Sequence, residues 1–288
     1  MEQVRTIRSI FRDKHRRVWE LDFLRGVAVI AMCFDHLMCD FLYLPGWFSN
    51  YNQVQNPFIV KMTEFAKAYW NTTYTYGFRF YAHYLFVFVF LFLVGTSCAL
   101  SRNNTRRGSM LFLFSLAFTG VTFVLKSFGI FSYGIVWGIL HCIALSILCV
   151  SAVDELTKFD KRLNMFAPLA VGVIICAVGI EHRFWEFGGT DATDKVFNGA
   201  HLIEYILGTV RFGDDWFGLF PYVGAVFLGV YCGKALYAPR VSLMPALDGK
   251  WNKPINFVGR HALIMYVLHQ IVLAGLVGVV CLCLGYRF

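Results

Sequence analysis

The stretch from Glu20 to Leu44, set in WELDFLRGVAVIAMCFDHLMCDFLYL, constrains this chain most. It is apolar for long enough to cross a bilayer, for which about 20 residues suffice. Yet it carries Asp22, Arg25, Asp35, His36 and Asp40. An ionisable side chain inside a span is costly, so each of these is a candidate functional residue. At about 100° per residue, Arg25 and His36 differ by about 20° and lie roughly 16 Å apart along the axis. Asp40 lies about 40° from His36, one turn further on. Asp22 sits on the same side, within i,i+3 reach of Arg25. Asp35 points to another face. One helix should therefore present a polar stripe of Asp22, Arg25, His36 and Asp40. Buried pairs that only hold helices together are the alternative, and the stripe is crowded for that purpose alone.

The same apolar bias runs through the chain, which is 58% hydrophobic and only 15% charged over 288 residues. A soluble domain averages about 25% charged residues. The fold class is thus an all-α, polytopic transmembrane helix bundle, expected as one domain over residues 1–288. The net charge of +8 does not signal nucleic acid, because the basic residues follow the membrane topology. All nine cysteines fall in or beside apolar spans, so no disulfide framework is expected. No CxxC pair appears, and no metal site is expected.

Residues 1–19 form a basic segment read as cytoplasmic, with no small-residue cleavage site after the apolar run. About seven spans follow. Span 1 covers about 21–44 and ends at Pro45-Gly46. Residues 47–79 are polar and aromatic. Within them, Met62, Phe65, Ala66 and Tyr69 recur at helical spacing, which predicts a short interfacial helix over 58–70. Span 2 is about 80–100, with His83 near its outer end. The turn SRNNTRRG then brings Arg102, Arg106 and Arg107. Span 3 is about 109–128, span 4 about 132–153 with GILH ending in His141, and span 5 about 165–180. A long polar loop over 181–215 precedes span 6, about 216–236, whose Gly224, Gly229 and Gly233 read as close helix contacts. Span 7 is about 260–284. With the N-terminus inside, the inner segments hold 18 Lys and Arg and the outer segments 8, the asymmetry of the positive-inside rule. Arg25 is then near the cytoplasmic face and Asp40 near the outer one, in a multi-pass protein of the cell membrane.

LDFLRGVAVIAMCFDH resembles the opening motif of the heparan-α-glucosaminide N-acetyltransferase catalytic-domain family, in its bacterial branch. It is also similar to the opening of the wider group of membrane acyltransferases that modify glycans. FLFLVGTSCALS, GILHCIAL, DDWFGLFPYVGAVFLGVYCGK and INFVGRHALIMYVLHQ agree in the same order, so the resemblance covers nearly the whole chain. It implies transfer of an acetyl group from cytoplasmic acetyl-CoA to a sugar or amino sugar of a glycan across the membrane. One departure stands out. In the animal lysosomal branch the resemblance places the active histidine in the loop after span 1, with Asn at the position of His36. Residues 45–79 here hold no histidine, so that role passes to His36 or to His83.

The residues suit the chemistry independently. Acetyl transfer needs a base, and histidine titrates near neutrality. A carboxylate orients such a histidine and stabilises its cation, a role open to Asp40 beside His36. Arginine grips phosphates by paired hydrogen bonds. Arg102, Arg106 and Arg107 stand where CoA would arrive, unless they serve topology only. Arg25 is either a further CoA contact or the partner of Asp22. His141, Asp215 and His269 are the candidate acceptor contacts, with a structural hydrogen bond as the alternative for each histidine. Two other classes compete: a proton-coupled small-molecule transporter and an intramembrane haem protein. A haem protein would want paired deep histidines on one helix, and a transporter an internal repeat; neither pattern occurs in the sequence. The oligomeric state is left open, a homo-oligomer included.

Overall fold

The computed structural model describes residues 18–71, 77–128, 134–181, 193–194, 197–212 and 216–288. The helices are α1 (Trp19–Trp47), α2 (Tyr51–Val54), α3 (Pro57–Asn71), α4 (Phe78–Ala99), α5 (Asn104–Ser127), α6 (Ile139–Thr157), α7 (Lys161–Glu181), α8 (Leu202–Leu207), α9 (Tyr222–Leu236), α10 (Lys253–Arg260) and α11 (Ala262–Cys283). Thr193–Asp194 and Arg211–Phe212 make a two-residue parallel pair, and the regular structure among the described residues is otherwise helical. Among the described residues six helices are long and apolar enough to cross a bilayer: α1, α4, α5, α6, most of α7, and α11. The remaining expected span, span 6, is shorter. Its helix starts only after Pro221 and has 15 residues, about 22 Å at 1.5 Å each against a hydrocarbon core of about 30 Å. Among its described residues span 4 is helical from Ile139, after Gly138 as N-cap, and α5 begins five residues ahead of expectation, at Asn104. Pro45 does not end α1, which runs on to Trp47. The basic segment lies outside the described residues up to Arg17.

Contacts group the chain into two units, one of residues 18–90 with 244–288 and one containing 91–243, so that α4 gives its first half to the former and its second to the latter. In the first unit α10 crosses the start of α1 at backbone contact. A Cβ on Gly259 would stand 1.8 Å from the Asp22 carbonyl oxygen, and one on Gly26 would stand 2.2 Å from that of Ile255. Trp19, Phe23 and Trp251 meet edge to face beside this crossing. The far half of α1 buries Met38, Phe41 and Leu44 against Ile59 and Ala66 of α3 and Val277 and Cys281 of α11. The end of the chain is clasped there too: Asn50 Nδ2 donates to the Gly285 carbonyl at 3.0 Å and the Arg287 amide to Asn50 Oδ1 at 2.7 Å. The short helix expected over 58–70 forms over Pro57–Asn71, but it buries Ile59, Thr63 and Ala66, while Phe65 stays exposed.

In the second unit the small-residue contacts hold. A Cβ on Gly229 would meet the Phe92 carbonyl oxygen at 1.9 Å, and one on Gly95 would meet that of Val226 at the same distance. Gly224 faces Cys176 and Gly172 of α7, and Gly233 faces Ala99. Thr96 Oγ1 donates to the Gly229 carbonyl at 3.2 Å. At the other end of α9, Lys234 Nζ donates to Asp154 Oδ1 at 2.6 Å and to the carbonyl and side chain of Asn164, which joins α9, α6 and α7. Tyr205 of α8 is fully buried between Phe197 and Phe212.

Candidate active site

The sequence placed its polar stripe on α1, and within the first unit the structure divides that stripe between two settings and gives the off-stripe Asp35 a third. Near the start of the helix, Arg25 donates to Asp22 Oδ1 at 2.8 Å, the i,i+3 pair foreseen from spacing. The pair is largely enclosed, with side chains 20% and 12% exposed.

Two to three turns further, Asp35 is the hub of a knot. Arg79, in the first turn of α4, binds it with both edges of the guanidinium fork: Nε to Oδ1 at 2.8 Å and Nη2 to Oδ2 at 2.9 Å. Tyr69 of α3 donates its hydroxyl to Oδ1 at 2.9 Å. Burial, and then the Asp35 carboxylate, push the Tyr69 phenol above its ordinary range, so it remains the donor. The Arg79 guanidinium lies 3.5 Å from the centre of the Trp70 ring, in cation–π contact. His83, one turn along α4, brings Nδ1 to 3.9 Å from Asp35 Oδ2. That separation is an electrostatic approach and too long for a hydrogen bond.

On the face turned to α11 sit His36 and Asp40. His36 Nδ1 lies 3.0 Å from the Met32 carbonyl, and a carbonyl only accepts, so Nδ1 carries the hydrogen. In the neutral ring Nε2 is then the basic nitrogen. His269 repeats the arrangement, with Nδ1 2.6 Å from the Tyr266 carbonyl, and the two rings meet edge to face at 4.7 Å. Asp40 is 3% exposed, and its Oδ1 accepts a hydrogen bond from Gln270 Nε2 at 2.6 Å. Asp40, His83 and His269 all lie within electrostatic range of His36. The direct Asp40–His36 hydrogen bond expected across one turn is replaced by the Gln270 bond, because the carboxylate meets α11.

The other candidates belong to the second unit. Arg102, Arg106 and Arg107 are exposed around the start of α5, where Asn103 caps the helix by accepting from the Arg106 amide at 2.8 Å. His141 is 1% exposed with both ring nitrogens engaged. The Gly138 amide donates to Nδ1 at 3.3 Å, so Nε2 carries the hydrogen and donates to Thr119 Oγ1 at 3.2 Å. Thr119 passes its own hydrogen to the Ile135 carbonyl. Asp215 lies outside the described residues.

Arg79, Tyr69 and Gln270 were not anticipated, and Asp35 was set aside. One signal was available: Arg79 and His83 are spaced i,i+4 at the start of an otherwise apolar span, so they share a face and seek the same partner. Gln270 follows His269 directly, an amide in a helix with no other polar side chain besides that histidine and Tyr266.

The family model for heparan-alpha-glucosaminide N-acetyltransferase, catalytic, matches residues 17–65 and 54–271. No curated protein and no solved structure matches the chain. The match takes in α1 with its stripe, the Asp35 knot and the α11 histidine. With six helices fit to span a bilayer, the chain belongs to the heparan-alpha-glucosaminide N-acetyltransferase catalytic family and is a multi-pass membrane acetyltransferase.

Proposed function

We propose that the protein moves an acetyl group from cytoplasmic acetyl-CoA to a sugar or amino sugar of an extracytoplasmic glycan, at the cell membrane, with His36 as general base. The observation that carries the assignment is the state of His36: Nδ1 is committed to its own helix, the His269 ring meets it edge to face, and Asp40 and His83 lie within electrostatic range. The acceptor's N–H or O–H proton passes to Nε2 while its lone pair attacks the thioester carbonyl. The C–S bond breaks, and the same nitrogen returns the proton to the departing thiolate. The buried charge of Asp40 stabilises the imidazolium that exists between these events.

CoA brings several phosphate charges, for which exposed guanidinium groups at a helix start are suited. Arg102, Arg106 and Arg107 provide such groups, and Arg25 is a further candidate contact. His141 and Asp215 remain candidate acceptor contacts in this reading, and His269 is a third, in edge-to-face contact with the base. Proteoliposomes containing the purified protein should transfer label from acetyl-CoA to at least one member of a panel of amino sugars and glycan lipids. A protein that takes up sugars without acetyl-CoA and transfers no label would instead be a transporter.

A further inference from the structure

Three buried atoms beside His36 share one property: each is a hydrogen-bond acceptor without a partner among the described residues. They are Asp40 Oδ2, Gln270 Oε1 and His269 Nε2. The His269 nitrogen is an acceptor because Nδ1 holds the ring hydrogen toward the Tyr266 carbonyl. The orientation of Gln270 follows from the same reasoning. Its NH₂ must face the Asp40 carboxylate at 2.6 Å, since the opposite flip would bring two acceptors together. Its carbonyl oxygen is thereby turned away from Asp40.

A set made only of acceptors does not satisfy itself while Asp40 is ionised. Each buried acceptor left unbonded costs about 1–3 kcal/mol, so three together need an explanation. A group rich in N–H or O–H donors supplies what is missing. The site also lies against the base, since His269 meets His36 at 4.7 Å between ring centres.

We propose that Gln270 is an acceptor-binding residue. Its amide anchors Asp40, and its carbonyl oxygen, with Asp40 Oδ2 and His269 Nε2, receives the donor hydrogens of the sugar next to the reacting group. This rests on the acetyl-transfer reading above. It adds a recognition role for α11 and makes Gln270 a determinant of which acceptors are used.

The test uses the full-length protein in proteoliposomes and the best amino-sugar acceptor from the panel. The KM values for that acceptor and for acetyl-CoA are measured separately for wild type, Gln270→Met and Gln270→Glu. Gln270→Met removes both hydrogen-bonding ends at similar length. Gln270→Glu keeps the shape and replaces the amide against Asp40 by a second carboxyl group. Both should raise the acceptor KM by about ten- to a hundredfold, the effect of losing one or two hydrogen bonds to a buried charged cluster, with the acetyl-CoA KM within about twofold. If Gln270→Met does not fold, the isosteric Gln270→Glu decides. An unchanged acceptor KM, or two KM values that rise together as for a merely structural amide, overturns the inference and leaves the acetyltransferase reading intact. A wild type that acetylates nothing overturns both.

Discussion

Removing Arg79 should cost far more stability than removing an ordinary surface arginine. Its side chain is 3% exposed and supplies two of the bonds that hold the Asp35 carboxylate, itself 15% exposed. Arg79→Met would leave that carboxylate with the Tyr69 hydroxyl as the remaining donor in the knot and His83 too far away to replace the guanidinium. Breaking one side of a buried pair costs about 3–5 kcal/mol, because a charge is stranded. The stacked Trp70 contact adds roughly 0.5–2 kcal/mol. The partial exposure of Asp35 argues for the low end, about 3–4 kcal/mol in all. At about 2–4 °C per kcal/mol for a chain of this size, Tm in detergent should fall by roughly 6–16 °C. Arg79→Lys, which keeps the charge and loses the fork, should fall between. The double variant Asp35→Leu, Arg79→Met removes both charges and should recover at least half of the single loss. Thermal unfolding followed by size-exclusion fluorescence measures all of these. A single variant within about 1 kcal/mol of wild type, or a double variant that loses the sum of the two singles, would refute the stranded-charge argument.

The other outcomes follow from the same contacts. His36→Ala should lower acetyl transfer by about 10²–10⁴-fold with acetyl-CoA binding retained, and Asp40→Asn should cost less; turnover kept in His36→Ala and lost in His83→Ala would move the base to α4. Gly259→Ala should destabilise by about 2 kcal/mol or more, since its Cβ would lie 1.8 Å from the Asp22 carbonyl, whereas Gly275→Ala, with nothing within 4 Å, should be neutral in the same melt. Joint replacement of Arg102, Arg106 and Arg107 by Ala should raise the acetyl-CoA KM several-fold and leave the acceptor KM unchanged. Acetyl-CoA binding to sealed vesicles should require access to the face bearing these arginines.

The helices were legible because the lipid environment writes them in composition: an apolar run of about 20 residues has few alternatives to a span. The edges were less so. Residues 216–221 are as apolar as the helix that follows, and composition alone does not reveal that Pro221 forms the N-cap of α9. Span 7, read from about 260, begins close to the break at His261, but α10 itself, Lys253–Arg260, lies in a stretch whose prolines read as a loop. Glycine contacts were easier, because a small residue every four or five positions on one helix has little use except close approach.

The site shows where a helical wheel reaches its limit. The angles were right: Asp35 does point away from His36 and Asp40. What an off-stripe carboxylate meets is beyond the angles, because a helix inside a bundle has neighbours on several sides. Asp35 meets Arg79, Tyr69 and His83 from α3 and α4, while His36 and Asp40 meet His269 and Gln270 from α11. A wheel fixes which residues share a face and is silent on what that face meets. Charge balance supplies the missing step. A carboxylate in a span requires a donor at its own depth, and Arg79 is the basic residue that begins the next span. Applied to Asp40, the same requirement finds, among the described residues, the neutral amide of Gln270. That imbalance separates the two carboxylates: Asp35 is matched in charge and holds three helices together, whereas Asp40 keeps a buried oxygen without a partner among the described residues.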